Sequence, residues 1–243
     1  MEIYSQIAEE LKKAKKITVV TGAGISVPSG IPDFRSSSGL YKGREADIPY
    51  YISLTHFRKD PDDFWGFYKD LLQIKLQDTY KPNEGHYFLA ELEKMGKDVT
   101  IVTQNVDGLH QKAGSTNVIE IHGSAQRSTC PTCGTIYNLD YINSQAVPRC
   151  EKDNSVIKPG MVLFEEAIHG FEEAYQATQE ADAFMVLGTS LQVGPVNQLP
   201  RYTRKSNVAK MIINMDPTIM DYLFEYKVHE EINSCFAKVK QYL

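Results

Sequence analysis

The sequence predicts an α/β fold in which a parallel sheet carries helices on both faces. Two observations lead to this prediction. Short runs of β-branched and apolar residues alternate with segments of helical periodicity, and a glycine-rich turn directly follows the first of these runs. Helix, strand and glycine turn in this order are typical of α/β layers. Strands separated by helical segments favour parallel pairing, because a parallel connection needs a crossover.

Each element of this sheet has its own signal. The first is an amphipathic helix, because apolar residues recur at helical spacing at Ile3, Ile7, Leu11 and Ala14. The β-branched run at residues 17–20 predicts the first strand. Further strands are predicted at residues 99–102, 183–187 and 210–213, with helices at residues 84–94 and 171–180. A last helix is expected over residues 221–243.

Two stretches interrupt the alternation and are expected to form a smaller lobe across a cleft. Residues 36–80 are aromatic and polar, and they predict a helical insertion. Residues 126–159 hold three cysteines among Pro, Gly, Asn and Asp, a composition too irregular for a hydrophobic core of their own. The main domain is then expected to comprise residues 1–35, 81–125 and 160–243.

Composition and charge exclude several classes of protein. The 243 residues are 42% hydrophobic and 23% charged, which is ordinary for a globular chain and argues against disorder. The net charge of −5 argues against a broad nucleic-acid surface, which needs clustered Lys and Arg. No apolar run approaches the roughly 20 residues that cross a bilayer, and no signal peptide is evident. A cytoplasmic location is expected, with thiols or metal ligands rather than disulfides.

The glycine-rich turn is the first candidate binding site. Gly22, Ala23 and Gly24 follow a buried strand, where backbone N–H groups can bind phosphate. Val27 stands where a dehydrogenase fingerprint needs its third glycine, which weakens that class, and no Walker A sequence follows. Taken alone, the turn is equally compatible with a tight strand-to-helix connection without a ligand. Asp33 and Arg35 beside Phe34 could clamp a ribose or a phosphate, or form a surface ion pair.

Five stretches together carry a resemblance to a known family. The run GAGISVPSGIPDFRS at residues 22–36 resembles the cofactor loop of the sirtuins, which are NAD-dependent protein deacylases. Four further sirtuin motifs follow in the family's order: TQNVDGLH at 103–110, EIHG at 120–123, GTSL at 188–191 and NMD at 214–216. One match would be weak, but five in order are very specific.

The resemblance implies a Rossmann-like domain that binds NAD, with a smaller lobe made of a helical insertion and a zinc-ribbon-like module. It implies that NAD is consumed, so that the acyl group of an acylated lysine passes to ADP-ribose and nicotinamide is released. The residues that it places around NAD are Gly22, Ala23, Gly24, Val27, Asp33, Phe34, Arg35, Gln104, Asn105, Val106, Asp107, His122, Gly188, Thr189, Ser190, Asn214, Asp216 and Val228.

The catalytic residues are expected within two of these motifs. His122 is the candidate general base, because histidine titrates near neutral pH and can take a proton from a ribose hydroxyl. Asn105 is expected to be catalytic, and with Asp107 to line the nicotinamide pocket. Without the resemblance, Asn and Asp here would read as an ordinary turn.

The acyl-lysine is expected to bind beside the cleft. Val162 and Phe164 resemble the apolar channel of the family, which suits a neutral acyl-lysine better than a charged lysine. Val193 and Gly194 are expected to add backbone bonds to the peptide in β-strand fashion. Glu165 departs from the family, which has glycine there, so that its side chain is expected to crowd the peptide or to change the backbone geometry.

The expected metal site also departs from the family pattern. Cys130 and Cys133 form one half of a zinc ribbon, and Cys150 begins the other half. Asp153 replaces the fourth cysteine. A Cys3Asp zinc site and the loss of tight zinc binding are both open from the sequence.

A protein lysine deacetylase is the function that the sequence favours, with an acetylated protein or peptide as substrate. Acetyl is expected over succinyl, because Leu71 stands where desuccinylating relatives carry an arginine, three residues after Tyr68. Mono-ADP-ribosyl transfer and a catalytically weak NAD- or ADP-ribose-binding module are the alternatives.

Overall fold

The computed structural model describes residues 2–33, 47–76, 80–204 and 207–243. In chain order the helices and strands are α1 (Ile3–Lys13), β1 (Lys16–Thr21), α2 (Ile48–Tyr51), α3 (Leu54–Lys59), α4 (Pro61–Leu76), α5 (Glu84–Lys94), β2 (Asp98–Thr103), α6 (Leu109–Ala113), β3 (Val118–Glu120), β4 (Gly123–Thr129), β5 (Ile136–Asn138), α7 (Leu139–Asn143), β6 (Lys158–Met161), α8 (Phe171–Glu180), β7 (Ala183–Leu187), β8 (Ala209–Ile213), β9 (Tyr226–Val228) and α9 (Ile232–Lys240).

The main sheet has six parallel strands in the order β3-β2-β1-β7-β8-β9. Counted along the sheet's own strands, this is the order 3-2-1-4-5-6 of the Rossmann fold. The predicted Rossmann-like parallel sheet is therefore confirmed.

Both faces of this sheet are buried, and neighbouring strand residues pack on opposite sides. Val19 and Met185 contact a core cluster that includes α1, α5 and α9. Val20 and Val186 contact a second cluster that includes α8. Burial on both faces explains why these strands read as continuous apolar runs.

The smaller lobe has one core that both insertions share. Phe64 and Trp65 of α4 are fully buried in a cluster that also holds Cys130, Cys150 and Leu163. The cysteine-bearing insertion adds a three-stranded sheet in the order β5-β4-β6. Apolar residues of this insertion, among them Leu139 and Ile157, pack in the same core as those of the helical insertion.

The predicted helices at residues 84–94 and 171–180 form as expected, but the helix expected over residues 221–243 is wrong. Residues 226–228 pair with β8 as an edge strand, and α9 begins only at Ile232. The edge strand β3 was also missed. Both strands are three residues long, too short to show a periodicity. Among the described residues, no helix combines the length and apolar character that spanning a bilayer requires.

Candidate active site

The predicted site residues lie along one edge of the main sheet, at the carboxyl ends of its strands. Gly22 follows β1, Gln104 follows β2, His122 follows β3, Gly188 follows β7 and Asn214 follows β8. The strand order reverses between β1 and β7. In open α/β sheets, ligands bind in the crevice at this switch point.

The loops after β1 and β7 cross in close contact, and glycines make the crossing. A Cβ atom on Gly22 would lie 2.6 Å from Thr189 Cβ, and one on Gly24 would lie 2.7 Å from Gly188 Cα. The Gly22 N–H donates to Leu187 O (3.0 Å), and the Gly24 N–H donates to Gly188 O (2.8 Å). These two amides are used inside the protein. The glycines therefore allow the two loops to pack directly against each other at the switch point.

The rest of the cofactor loop is a short 3₁₀-helix, Ala23–Ser29, which ends at Gly30 with a φ of 88°. Val27 lies on this helix with 44% of its surface exposed. Asp33 follows at the last described position before the gap. Phe34 and Arg35 lie outside the described residues.

A buried hydrogen-bond network joins this loop to the residues after β2. Asn105 donates from Nδ2 to Gly22 O (3.1 Å) and to Ser26 Oγ (3.1 Å). Ser26 Oγ donates to Asp107 Oδ2 (2.7 Å), and Asp107 Oδ1 accepts from Leu109 N (2.9 Å). A buried carboxylate is stable only when it is hydrogen-bonded in this way. The network fixes both residues predicted for the nicotinamide pocket.

Ser26 was not among the predicted site residues. It is almost fully buried, and it connects Asn105 with Asp107. One signal could have identified Ser26: it is a polar residue inside the glycine-rich run at residues 22–30.

His122 is held in one tautomer. Its Nδ1 lies 3.1 Å from Gln104 O, and because a carbonyl only accepts, Nδ1 carries the proton. Nε2 is then the basic nitrogen. Burial lowers the pKa of His122, and the bond to Gln104 opposes this lowering only in part. The ring is therefore neutral at pH 7 and ready to accept a proton.

Further contacts link the remaining crevice residues. Gln104 donates from Nε2 to Thr189 Oγ1 (3.1 Å), which joins the loops after β2 and β7. Val106 is buried in the core of the smaller lobe, and Ser190 is half-buried beyond Thr189.

The expected adenosine end lies after β8. Asn214 Nδ2 donates to Asp216 O (2.7 Å), and Asn214 N donates to Val228 O (3.1 Å). Asp216 is exposed. The side chain of Val228 is buried in the core, so Val228 supports this end of the crevice mainly through its backbone.

The predicted substrate segment adjoins His122. Val162 N donates to His122 O (2.8 Å). Phe164 is 46% exposed, and its backbone bonds on both sides to the helical insertion, accepting from Leu54 N (3.1 Å) and donating to Ile52 O (3.0 Å). The segment thus bridges the carboxyl edge of the main sheet and the smaller lobe.

Glu165 keeps the backbone conformation that glycine would favour. Its φ is 76°, in the left-handed region. This conformation costs a side-chain-bearing residue roughly 1–2 kcal/mol. The carboxylate turns to Thr55, where Oε2 accepts from the backbone N (2.9 Å) and from Oγ1 (2.7 Å). A changed backbone geometry was one of the two expected effects of Glu165. The positive φ argues against it, because glycine favours the same conformation.

Val193 and Gly194 lie on the loop after β7, before the 3₁₀-helix Val196–Arg201. Val193 is 38% exposed, and its carbonyl accepts from Asn197 N (3.2 Å).

The four predicted metal ligands come together. The ligand atoms of Cys130, Cys133, Cys150 and Asp153 all lie within 4.8 Å of one another. Cys133 Sγ and Cys150 Sγ are 3.4 Å apart, and Cys130 Sγ is 3.4 Å from Asp153 Oδ2. Zinc–sulfur bonds of about 2.3 Å in a tetrahedron separate ligand atoms by about 3.8 Å, and an Asp oxygen can replace a thiolate. The donor set fits a structural zinc ion.

Comparisons with known proteins agree with this geometry. The sequence model of the Sir2 family matches residues 22–195. NAD-dependent protein deacetylase 2 of Geobacillus kaustophilus is 47% identical over 243 residues, which cover 99% of this chain and 98% of that protein. The NAD-dependent protein deacetylase of Bacillus subtilis is 42% identical over 246 residues, with 98% of each chain covered.

Solved structures give the same result. A Sir2 structure with a deacetylated p53 peptide and 3′-O-acetyl ADP ribose has a TM-score of 0.89 at 34% identity, and it covers 99% of this chain and 98% of its own. A Sir2 structure with a p53 peptide and NAD⁺ has a TM-score of 0.86 at 33% identity, with the same coverage. Fold, motif order and full-length similarity agree, and the chain belongs to the Sir2 family.

Proposed function

We propose that this chain is an NAD-dependent protein lysine deacetylase. It transfers the acetyl group of an acetyl-lysine to ADP-ribose and releases nicotinamide and O-acetyl-ADP-ribose. The observation that carries the proposal is His122, whose basic Nε2 is set by the bond from Nδ1 to Gln104. The relatives named NAD-dependent protein deacetylase and the Sir2 structures holding NAD⁺ or acetyl ADP ribose support it.

The crevice residues after β1, β2, β7 and β8 are proposed to hold NAD as a substrate. The turn that holds Gly22 and Gly24 is proposed to lie beside the pyrophosphate, and Asn214 and Asp216 beside the ribose of the adenosine. Because Nδ2 of Asn105 is committed to Gly22 and Ser26, Oδ1 is the atom that this residue can offer the nicotinamide carboxamide. Phe34 and Arg35 are proposed for the same ligand on their motif alone.

His122 acts after the bond to nicotinamide breaks. The acyl oxygen of the substrate attacks the ribose carbon as nicotinamide leaves. Nε2 of His122 accepts the proton of a ribose hydroxyl, whose oxygen then attacks the acyl carbon. Water completes the release of the free lysine. Overall, acetyl-lysine, NAD and water give lysine, nicotinamide and O-acetyl-ADP-ribose.

The substrate is proposed to bind along the segment that carries Val162, Phe164 and Glu165, opposite Val193 and Gly194. The exposed Phe164 ring offers apolar surface to a neutral acyl chain. The bond between Val162 and His122 keeps this segment beside the base.

The two-lobe division at residues 36–80 and 126–159 is part of the proposal, supported by the separate core of the smaller lobe. Zinc held by Cys130, Cys133, Cys150 and Asp153 would stabilise that lobe and takes no part in the reaction. We propose a cytoplasmic location, which suits a chain whose four cysteines form no disulfide.

Incubation with NAD and an acetyl-lysine peptide tests the proposal directly. Mass spectrometry should detect nicotinamide, deacetylated peptide and O-acetyl-ADP-ribose in equal amounts. Nicotinamide with ADP-ribosylated protein would favour the ADP-ribosyltransferase alternative. Binding of NAD without any product would favour the alternative of a catalytically weak NAD- or ADP-ribose-binding module. Recovery of no acetylated ADP-ribose at saturating substrates would overturn the deacetylase assignment.

A further inference from the structure

The side chain of Glu165 connects the substrate segment to the helical insertion. Its Oε2 accepts two hydrogen bonds from Thr55, one from the backbone N–H and one from the hydroxyl. The next residue toward the N-terminus, Phe164, pairs with Ser53 in a parallel bridge. The two segments are therefore joined twice, by the backbone bridge at Phe164 and by the side chain of Glu165.

The other end of this segment is fixed separately. Val162 N donates to His122 O. Leu163 N donates to Glu166 Oε2 (2.9 Å), and that carboxylate also pairs with Lys158 Nζ at 2.8 Å. Residues 162–164 are thus held on the catalytic side, and the contact between Glu165 and Thr55 holds them on the side of the smaller lobe.

The backbone of Glu165 needs such support. A φ of 76° is natural for glycine, but it is unfavourable for glutamate unless surrounding contacts hold it. Glycine would reach the same conformation freely and would also leave it freely. In glutamate, the two bonds from Thr55 to the carboxylate offset part of this cost, so the side chain favours one conformation of the segment.

We propose that Glu165 is a positioning residue for the acetyl-lysine peptide, which holds residues 162–165 in the peptide-accepting conformation through Thr55. This inference rests on the proposed deacetylase function. On this view, glutamate in place of glycine at residue 165 preorganises the binding segment and does not reduce activity. Preorganised binding segments bind more tightly, because less conformational entropy is lost on binding.

Steady-state kinetics with an acetyl-lysine peptide test the proposal. Glu165→Ala keeps the unfavourable φ but loses both bonds, so the peptide KM should rise about tenfold, with kcat and the NAD KM within about twofold. Glu165→Gln keeps an acceptor and should recover most of the wild-type KM. Glu165→Gly removes the strain and should fall between Ala and wild type. Glu173→Ala, an exposed site on α8, is the matched control.

Thr55→Val removes the hydroxyl donor and should raise the peptide KM in the same direction. The double variant Glu165→Ala/Thr55→Val should be no worse than Glu165→Ala, because both changes break one contact. Additive effects, or an unchanged peptide KM in Glu165→Ala, would overturn the proposal. A rise confined to peptides with lysine beside the acetyl-lysine would also overturn it, since charge attraction would then be the cause.

Peptide affinity measured by fluorescence anisotropy separates this inference from the proposed function. If the wild type binds the peptide without turning it over, the deacetylase assignment fails, and the ranking of affinities still decides the role of Glu165. Amide hydrogen exchange at Thr55 should be faster in Glu165→Ala than in Glu173→Ala. Equal exchange in the two variants would contradict the contact itself.

Discussion

The imidazole rings of His86 and His110 lie against each other in the interior, with their centroids 4.9 Å apart. His86 Nδ1 accepts from Asn83 N, so its proton is on Nε2. His110 Nε2 contacts Thr21 Oγ1, whose hydroxyl donates to Thr103 Oγ1, so His110 donates through Nε2. The donor His86 Nε2 and the acceptor His110 Nδ1 are left over. Neither has a hydrogen-bond partner among the described residues.

This pair predicts that stability falls in mild acid. Burial lowers the pKa of His86 to about 4, and burial lowers the pKa of His110 well below 6.5. The unfolded chain therefore binds more protons than the folded chain between pH 6.5 and 4, and stability rises with pH in that window. His86 alone should remove about 2 kcal/mol of unfolding free energy between pH 7 and 5.

Urea denaturation at the two pH values measures this difference. His86→Asn should have a shallower dependence on pH than the wild type, whatever its stability at pH 7. An unfolding free energy that is the same at pH 7 and pH 5 would contradict the assignment of two neutral, buried histidines.

Replacement of the general base should separate binding from chemistry. His122→Ala is expected to lower kcat by about 10²–10⁴-fold, the range for removal of a positioned base, and to retain much of the NAD affinity. The wild-type rate should fall toward acid only below pH 6.5, because burial lowers the pKa of His122 and keeps it neutral above that value. Full activity in His122→Ala would exclude the general-base role. Calorimetric NAD titration provides the binding measurement.

The hydroxyl of Ser26 should matter more than its size suggests. Ser26→Ala leaves Asp107 Oδ2 without its 2.7 Å donor and removes one of the two acceptors of Asn105 Nδ2. Loss of a bond to a buried charged group costs about 1.5–3 kcal/mol. We expect that loss in unfolding free energy, together with a raised NAD KM. Ser5→Ala on α1, where the half-buried hydroxyl bonds only to Glu2 O, serves as the control, and equal behaviour of the two variants would show that the network is unimportant.

Zinc content tests the Cys3Asp site. Metal analysis of the purified protein should give about one zinc per chain, and removal with a chelator should lower the melting temperature. Asp153→Cys should resist the chelator better than the wild type, and Asp153→Ala should lose zinc at lower chelator concentrations. A zinc content well below one in both the wild type and Asp153→Cys would exclude the site.

Acetyl-lysine peptides should react faster than succinyl-lysine peptides. Leu71 is buried in the apolar core of the smaller lobe, and Tyr68 is stacked on Phe64 in the same core. A succinyl carboxylate would therefore meet no arginine at residue 71. Competition between the two peptides measures the preference, and faster succinyl turnover would contradict it.

The sequence predicted what depends on local pattern and on motif. The strands at residues 183–187 and 210–213 were predicted because burial on both faces leaves continuous apolar runs. The edge strand β9 is not predicted, because it has only three residues. So short a segment shows no periodicity, and its pairing with β8 depends on the fold.

Contacts between distant segments could not be predicted in the same way. The left-handed backbone of Glu165 depends on Thr55, 110 residues earlier in the chain. The pairing of Ser26 with Asp107 and the contact between the rings of His86 and His110 likewise need the folded topology. Local composition contains no signal for either contact. The motif at residues 103–110 includes His110 but does not indicate its partner.

The shared core of the smaller lobe sets an order of events during synthesis. The second insertion supplies its last member of this core, Ile157, about 90 residues after Trp65. At roughly 5–20 residues per second, that interval lasts about 5–20 seconds. Until then this core is incomplete, and the nascent chain exposes apolar surface that makes it vulnerable to aggregation.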